Sequence, residues 1–408
     1  MQLLASAAPL STPECVTLSV APRLITPKPI GVTRHAQKSE RIPALDGLRG
    51  VAISLVLLRH SVAGTPTNSH FWNAVLLPLR LSWSGVDLFF VLSGFLIGGI
   101  LLDARHSPNY FRTFYIRRAY RILPVYGVFL ALYLGRHVVA QIITFHLGKT
   151  SPLPIPWFSF LTFTQNFWMV SFGWFGPMAL APTWSLAVEE QFYLTAPLLI
   201  RRLRARTLFA VLSGIVFGAP LLRAVLPHVI AHGDFGTYVL MPCRADALAM
   251  GVLGALAIRH AKFRDLITKS VWLLYLLGAL TLAGIALLTI SNTSQYEPPT
   301  ATWGFSCLAL FYTSILLIAL SRTGGTLDRF LSVGILRRFG TLAYCTYLIH
   351  EIVIGVARGL LGAHSNLPPA AIWSIGGALG VAGALVIASM SWRFFEKPLL
   401  RRGHEYQY

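Results

Sequence analysis

Residues 46–60 read DGLRGVAISLVLLRH, an apolar run with a cation near its start and a histidine at its end. On an α-helix, Arg49 and His60 are eleven positions apart, about three turns, so their side chains project from nearly the same face. At ~1.5 Å per residue, His60 lies roughly 16 Å further along the helix axis than Arg49. Ionisable residues inside a membrane span are costly and are functional candidates by default. We therefore read the rest of the chain as helices that place partners around His60.

The composition is that of a membrane protein. Hydrophobic residues make up 55% of the 408-residue chain and charged residues 12%, whereas soluble proteins carry roughly 25% charged residues. Several stretches reach the ~20 apolar residues that a helix needs to cross a bilayer. The net charge of +19 sits in short clusters between apolar runs, which is typical of the positive-inside rule and not of a nucleic-acid-binding surface. We expect an all-α, polytopic transmembrane helical bundle in a lipid bilayer, with no nucleic-acid partner.

About ten spans account for the apolar runs and the basic clusters together. Connectors on one side hold nearly all of the Arg and Lys residues, and those on the other side hold little beyond Arg80 and Lys149. Because basic connectors remain in the cytoplasm, this asymmetry predicts that both termini are cytoplasmic. The predicted spans are residues 44–63, 84–102, 121–145, 183–200, 206–226, 238–258, 271–290, 301–320, 339–361 and 370–394.

These spans define three parts of the chain. Residues 1–41 contain scattered prolines, serines and basic residues without a sustained apolar run, and we expect them to form a disordered cytoplasmic N-terminal tail. Residues 42–400 are expected to form the transmembrane domain. Residues 401–408 are expected to be a cytoplasmic C-terminal tail.

Five predicted spans carry ionisable residues at a similar depth, in the outer half of the bundle. Each isolated charge would cost several kcal/mol in hydrocarbon unless it is paired or lies in a wet cavity. Convergence on one polar cavity that opens outward, around His60, is the arrangement with the lowest cost. The residues are His60, Asp87, Glu189, Glu190, Arg244, Asp246, His350 and Glu351.

A purely structural role stays open for several of these residues. Asp46, Asp87 and Asp246 serve equally well as partners in ion pairs between helices. A single histidine such as His350 is more often a satisfied core residue than a catalyst. Glu189 and Glu190 are neighbours about 100° apart on a helix, so only one of them can face the cavity. For His60 we favour chemistry, because a structural histidine does not explain so many acidic candidates at its depth.

A basic cluster is predicted at the cytoplasmic side, in residues 115–124. It contains Arg117, Arg118 and Arg121, of which the last two are three positions apart and share one helix face. That spacing suits a phosphate clamp, although an ordinary positive-inside anchor explains the cluster better when it is considered alone. The four cysteines have neither metal-ligand nor redox spacing, so we predict no metal site.

At these residues the sequence resembles the acyltransferase-3 family of integral membrane O-acyltransferases. The resemblance extends from about residue 41 to the end of the chain and involves several ordered motifs. They are LDGLRG at residues 45–50 with His60 following, GVDLFFVLSGFL at 85–96, YIRRAYRILP at 115–124, TWSLAVEEQFY at 183–193, GTLAYCTYLIH at 340–350 and FEKP at 395–398.

The resemblance implies an acyl-CoA donor, expected to be acetyl-CoA, and a hydroxyl acceptor on a carbohydrate or glycolipid. It implies a location in the bacterial cytoplasmic (inner) membrane. By analogy, His60 is the catalytic histidine and Arg49 its signature partner. The CoA phosphates would dock on the basic cluster of Arg117, Arg118 and Arg121.

Chemical reasoning adds roles for the remaining polar residues. Neutral imidazole can accept a proton from an acceptor hydroxyl, and Glu189, Glu190 or Asp87 could orient the ring of His60 as the acid of a catalytic triad does. Whether His60 acts only as this base or also as an acyl relay is left open. The candidates for acceptor binding are Arg244, Trp184 and His350, with Arg244 as a possible oxyanion partner.

Two other functions also fit a polar cavity in a membrane bundle. One is a glycolipid transporter or flippase without chemistry, which interrupted spans at matching places in two halves would favour. The other is a non-catalytic membrane sensor that binds acyl-CoA. The sequence gives no prediction of the oligomeric state.

Overall fold

The computed structural model describes residues 42–62, 77–146, 155–291 and 295–408, so the predicted N-terminal tail, residues 1–41, lies outside the described part. Within those ranges the chain is helical and contains no strand. The α-helices are α1 (Pro43–Ser61), α2 (Gly85–Asp103), α3 (Tyr110–His146), α4 (Trp157–Leu161), α5 (Gln165–Phe172), α6 (Thr183–Arg202), α7 (Ala205–Val229), α8 (Gly233–Val239), α9 (Met241–Arg259), α10 (Ala261–Lys269), α11 (Val271–Ile290), α12 (Phe305–Ser321), α13 (Thr326–Leu331), α14 (Gly334–His364), α15 (Pro369–Ser391) and α16 (Lys397–His404).

Each of the ten predicted spans coincides with one of these helices. In the described residues, eight helices are long and apolar enough to cross a membrane, so the count is lower than the predicted ten. The two that fall outside the eight are α1 and α6. They carry the charged residues that the sequence singled out, Arg49 on α1 and Glu189 and Glu190 on α6, and these charges lower their apolar character.

Helices α1 and α14 are held together by close contact between their backbones. A Cβ atom at Gly340 would overlap the carbonyl oxygen of Asp46, and one at Gly50 would overlap the carbonyl oxygen of Leu336. Glycine is required here because a side chain on either helix would push the two axes apart. Ten residues beyond Gly340, His350 lies beside His60, so the two helices run parallel.

Two further packings surround this pair. Helices α2 and α9 also run parallel, since Gly94 lies against Leu248 and Gly98 against Val252. Helix α15 is antiparallel to α14, with Gly380 packed on Ile354. These relative directions are the ones that ten alternating spans require for the predicted spans 1, 2, 6, 9 and 10.

The end of the chain packs against helix α3. Helix α16 places Gly403 against Tyr120, and the hydroxyl of Thr113 donates to the carbonyl oxygen of Gln407 at 2.8 Å. Residues 401–408, which we expected as a tail, therefore make defined contacts with the bundle.

Replacing Gly340 with alanine should destabilise the protein, because the new methyl group meets backbone that cannot rotate away. Overpacking costs ~1–3 kcal/mol in general, and we expect a loss near the upper end of that range. Gly355→Ala on the same helix is the matched control, since a Cβ there has nothing within 4 Å. The thermal stability of both variants is measured on the detergent-solubilised protein. Equal stability of the two variants would contradict the close contact.

Candidate active site

His60 lies in the last turn of α1 and contacts two residues of α14. Its Nε2 is 3.0 Å from Oε1 of Glu351, and its Nδ1 is 3.2 Å from Nε2 of His350. The side chain of His60 is 35% exposed and that of Glu351 is 10% exposed, whereas His350 is fully buried. His60 is therefore the accessible member of the cluster, and the acid beside it is Glu351.

Hydrogen bonds to backbone carbonyl oxygens determine which ring nitrogens of the two histidines carry a proton. Nδ1 of His350 is 2.6 Å from the carbonyl oxygen of Tyr347, and Nδ1 of His60 is 2.9 Å from that of Val56. A carbonyl only accepts, so both Nδ1 atoms donate, and the lone pair of a neutral imidazole is then on Nε2. In the observed geometry, one proton lies between Nε2 of His60 and the Glu351 carboxyl group.

Arg358 fixes the end of α1 that carries His60. Its Nη2 donates to the carbonyl oxygens of His60 and Ser61, both at 3.0 Å. These are carbonyls of the last turn, which have no partner within the helix. The guanidinium carbon lies 3.7 Å from the ring centroid of Trp373 on α15. Helices α1, α14 and α15 are thus joined at the histidine cluster.

A cavity of about 110 Å³ lies between α1, α2, α3, α6 and α14. Arginines from two different helices face it, and its walls are otherwise mainly apolar and aromatic. His60 does not line it, so the polar residues do not all converge on one point as expected. The polar and aromatic lining residues are Arg49, Ser93, Arg118, Arg121, Ser185, Glu189, Tyr193, Phe89, Phe90, Tyr344 and Tyr347.

Tyr347 lies between this cavity and the histidine cluster. Its side chain lines the cavity, and its ring centroid is 5.7 Å from that of His350. The hydroxyl is held by Ser185 at 2.6 Å and donates to the carbonyl oxygen of Pro182 at 3.1 Å. The same residue therefore contributes a wall to the cavity and a backbone acceptor to His350.

Glu189 and Glu190 face different surroundings, as their spacing requires. Glu189 lines the cavity and accepts a hydrogen bond from the hydroxyl of Tyr193 at 3.3 Å. Oε1 of Glu190 is buried and has no hydrogen-bond partner among the described residues. The structure brings Glu189 together with Arg49, not with His60.

The basic cluster on α3 is divided between two faces of the helix. Arg118 and Arg121 line the cavity. Arg117 instead donates from Nε to the carbonyl oxygen of Tyr406 at 2.8 Å and packs 5.0 Å from the ring centroid of Tyr408. Of the three predicted phosphate ligands, the pair that shares a helix face therefore lies at the cavity.

Asp87 and Arg244 form an ion pair between α2 and α9, and each side chain is 1% exposed. The guanidinium carbon of Arg244 lies 3.7 Å from the ring centroid of Phe305. Oδ2 of Asp87, and Nε and Nη1 of Arg244, have no hydrogen-bond partner in the described part of the chain. The structure therefore places Asp87 with Arg244 and not at His60.

Trp184 is buried in the core beside this pair. Its ring centroid is 4.6 Å from that of Tyr238 and 6.0 Å from that of Phe90. Of the three candidates for acceptor binding, only His350 contacts His60, and like Trp184 and Arg244 it is buried. These positions favour packing or support over direct contact with an acceptor.

Three contributions were not predicted from the sequence. Glu351 was placed at the right depth without a role, and Arg358 and Arg223 were not considered. Arg223 donates to Oδ2 of Asp246 at 2.9 Å and to Ser306 at 2.7 Å. Both arginines fall near the outer ends of predicted spans, on the side that is otherwise poor in basic residues, and an isolated arginine there was the available signal.

Comparison with known proteins identifies the family. The family model described as an acyltransferase domain, that of acyltransferase-3, matches residues 42–389. The chain belongs to this family. The earlier resemblance is therefore confirmed, and together with the eight apolar helices it makes the protein an integral membrane protein.

Several curated relatives match most of this acyltransferase-3 chain. Peptidoglycan O-acetyltransferase OatA of Listeria monocytogenes is 29% identical over 91% of the chain and 57% of its own length. Putative peptidoglycan O-acetyltransferase YrhL of Bacillus subtilis is 30% identical over 90% and 56%. A putative O-acetyltransferase of Staphylococcus aureus is 26% identical over 91% and 59%. The chain thus spans somewhat more than half the length of these relatives, and no solved structure matches it significantly.

Removing the charge of one member of the Asp87–Arg244 pair should lower the stability of the protein more than removing the charges of both. Arg244→Gln leaves a buried carboxylate without its cation, a loss of ~3–5 kcal/mol in comparable buried pairs. Asp87→Asn combined with Arg244→Gln should recover part of that stability. Thermal stability of the single and double variants in detergent measures the coupling. If the stability loss of the double variant equals the sum of the losses of the two single variants, the ion pair does not hold α2 against α9.

Proposed function

We propose that this chain is a membrane O-acetyltransferase domain that transfers an acetyl group from acetyl-CoA to a sugar hydroxyl of a peptidoglycan-type acceptor. The observation that carries the proposal is the accessible His60–Glu351 pair, with a cavity lined by three arginines nearby. Membership of the acyltransferase-3 family supports the reaction class. The relatives from Listeria and Bacillus, which are named as peptidoglycan O-acetyltransferases, support the acceptor class.

The arginine-lined cavity is the proposed donor site. Arg49, Arg118 and Arg121 offer guanidinium groups suited to phosphate oxygens, and the apolar walls suit an uncharged arm. A volume of about 110 Å³ is well below the ~300–1,000 Å³ of sites that enclose a whole drug-sized ligand. Only the narrow pantetheine end of the donor therefore fits without rearrangement, and the nucleotide remains outside the helices.

The basic connectors support a cytoplasmic position for the arginine end of the cavity, with His60 toward the outer side. Arg49 and His60 are roughly 16 Å apart along α1. An extended pantetheine arm is about as long as a six-residue peptide, ~20 Å. The donor phosphates can therefore stay at the arginines while the thioester reaches toward the histidine cluster.

His60, supported by Glu351, is the proposed general base. With the shared proton absent, Nε2 of His60 takes the proton of the acceptor hydroxyl while Val56 holds Nδ1–H. The alkoxide oxygen forms a bond to the thioester carbonyl carbon, the C–S bond breaks, and the CoA sulfur takes the proton back from His60. Glu351 stabilises the imidazolium in between. Acylation of His60 itself is the variant of this scheme in which the imidazole accepts the acetyl group first.

His60→Ala should abolish acetyl transfer without preventing accumulation of the protein. A general base contributes roughly 10²–10⁴-fold to the rate, so we expect a loss of at least about 100-fold. His364→Ala is the matched control, because His364 is exposed at the end of α14 and its Nδ1 is 2.9 Å from the carbonyl oxygen of Leu360 in its own helix. The assay follows labelled acetyl groups from acetyl-CoA to muramidase-released sugars in cells that carry each variant. Undiminished acetylation by the His60 variant would remove its central role.

Arg118→Gln together with Arg121→Gln should raise the apparent KM for acetyl-CoA, because the phosphates lose charge-assisted hydrogen bonds of ~1.5–3 kcal/mol each. Summed over the two side chains, that corresponds to at least about a 100-fold rise. Arg112→Gln is the control, since Arg112 is exposed on the same helix and does not line the cavity. Initial rates in proteoliposomes at varied donor concentration measure the change. A fall in kcat at saturating donor with an unchanged KM would contradict the phosphate clamp.

The same proteoliposomes separate this proposal from a flippase or an acyl-CoA sensor. A flippase moves glycolipid acceptors between leaflets without consuming acetyl-CoA, and a sensor binds acetyl-CoA without releasing free CoA. Transfer of label to sugar with stoichiometric release of CoA excludes both. Release of CoA without labelled sugar would keep the donor site and reject the acceptor class.

A further inference from the structure

We propose that His60, His350 and Glu351 form a binding site for a divalent cation of the Zn²⁺ class, and that its occupancy blocks the transfer reaction. Binding rests on the geometry of these three side chains alone. The inhibitory consequence rests on the proposed function, in which Nε2 of His60 must be free to take a proton.

The three side chains present one ligand atom each within a small volume. A histidine nitrogen from each ring and a Glu351 carboxylate oxygen all lie within 4.8 Å of one another. They come from α1 and α14, which are held in register by the glycine contacts described above. Among the described residues, this is the only group of three or more such side chains with that geometry.

The hydrogen bonds around the two imidazoles prepare them as ligands. A metal-bound histidine usually donates its other ring N–H to a carbonyl or carboxylate, which fixes the tautomer and the ring orientation. Here Nδ1 of His350 donates to Tyr347 at 2.6 Å and Nδ1 of His60 donates to Val56 at 2.9 Å. The two Nε2 atoms carry the lone pairs for a metal, which would replace their present contacts with Glu351 and with Nδ1 of His60. His350 is fully buried, and in the metal-free site its Nε2 has Nδ1 of His60 as a partner at 3.2 Å.

The distances require only a small contraction. Zn–N and Zn–O bonds of ~2.0–2.2 Å at tetrahedral angles place ligand atoms about 3.4 Å apart. Nε2 of His60 and Oε1 of Glu351 are already at 3.0 Å. The most distant pair, at up to 4.8 Å, has to close by at most about 1.4 Å.

The types of ligand atom determine which metal ions the site favours. Two imidazoles and one carboxylate suit zinc and neighbouring transition metals, whereas Mg²⁺ and Ca²⁺ prefer oxygen ligands alone. Three protein ligands leave the fourth tetrahedral position for water. Arg358 adds a positive charge nearby, but its Nη2 is committed to the carbonyl oxygens of His60 and Ser61. Coordination replaces the proton shared by His60 and Glu351, which leaves the site as the metal enters.

A metal ion bound at this site prevents His60 from acting as the base. The lone pair on Nε2 of His60 that would take the acceptor proton is then shared with the metal. Glu351 is bound as well and can no longer stabilise an imidazolium. The expected result is reversible inhibition by Zn²⁺ that excess chelator relieves.

The test uses the full chain, purified in detergent and freed of metal with a chelator. Zn²⁺ bound at equilibrium is counted by elemental analysis after dialysis, and Co²⁺ is used in parallel because a tetrahedral nitrogen and oxygen site gives it visible absorption. We expect one Zn²⁺ per chain and a Co²⁺ spectrum. His350→Gln and Glu351→Gln should each weaken Zn²⁺ binding by at least about tenfold, whereas His364→Gln should bind as the unmodified chain does.

Each outcome of this test bears on the site. Binding that is unchanged in His350→Gln and Glu351→Gln, or the lack of saturable binding in the unmodified chain, would overturn the proposal. Thermal stability of each variant without metal separates a lost ligand from a lost fold, and loss of binding in a variant of unchanged stability supports the site.

Activity is read separately from binding. Acetyl transfer by the metal-free chain tests the proposed function, and Zn²⁺ stoichiometry tests this site. Metal bound without any transfer activity would retain the site and reject the function. Transfer that persists at full Zn²⁺ occupancy would overturn the inhibitory role.

Discussion

The rest of the structure depends on the backbone contact between α1 and α14. Gly50 and Gly340 allow each helix to approach the other's carbonyl oxygens, at Leu336 and Asp46. Because both helices are rigid and parallel, this contact also determines which side chains come together about two to three turns further along. There, His60 lies beside His350 and Glu351. The pairing of the candidate base with its acid is therefore a consequence of packing at residues that themselves have no chemistry.

The polar residues that the sequence singled out lie in separate groups in the described part of the bundle. Arg49, Arg118 and Glu189 belong to the cavity, and the His60–Glu351 pair lies at the last turn of α1. Arg223 pairs with Asp246, and Asp87 with Arg244 joins α2 to α9. The last group is fully buried, and a buried ion pair contributes little net stability because desolvation offsets attraction. We interpret it as fixing the relative position of two parallel helices, one of which, α2, supplies most of one cavity wall.

The sequence predicted the positions of the helices well and the partners of the polar residues poorly. All ten predicted helices exist, and Arg118 and Arg121 share a face with the cavity, because hydropathy and the 3.6-residue period report length and local faces. The partner of His60 was missed because Glu189, Asp87 and Glu351 were all assigned a similar depth. Choosing among them requires the rotation of each helix about its axis, which tertiary contacts decide. The contact between His60 and His350 joins residues 290 positions apart, beyond any local pattern.

Both parts of the proposed site include a residue of α1, Arg49 at the cavity and His60 at the histidine cluster. In the proposed function, α1 contributes Arg49 to the donor phosphates and His60 to the acceptor, so one rigid element sets the distance between them. Tyr347 on the parallel helix α14 lines the donor cavity with its side chain and accepts from His350 through its backbone. A change in the position of α14 would therefore alter the donor site and the base together. This coupling favours a mechanism in which the acyl arm moves to the histidine, over one in which the helices move to the donor.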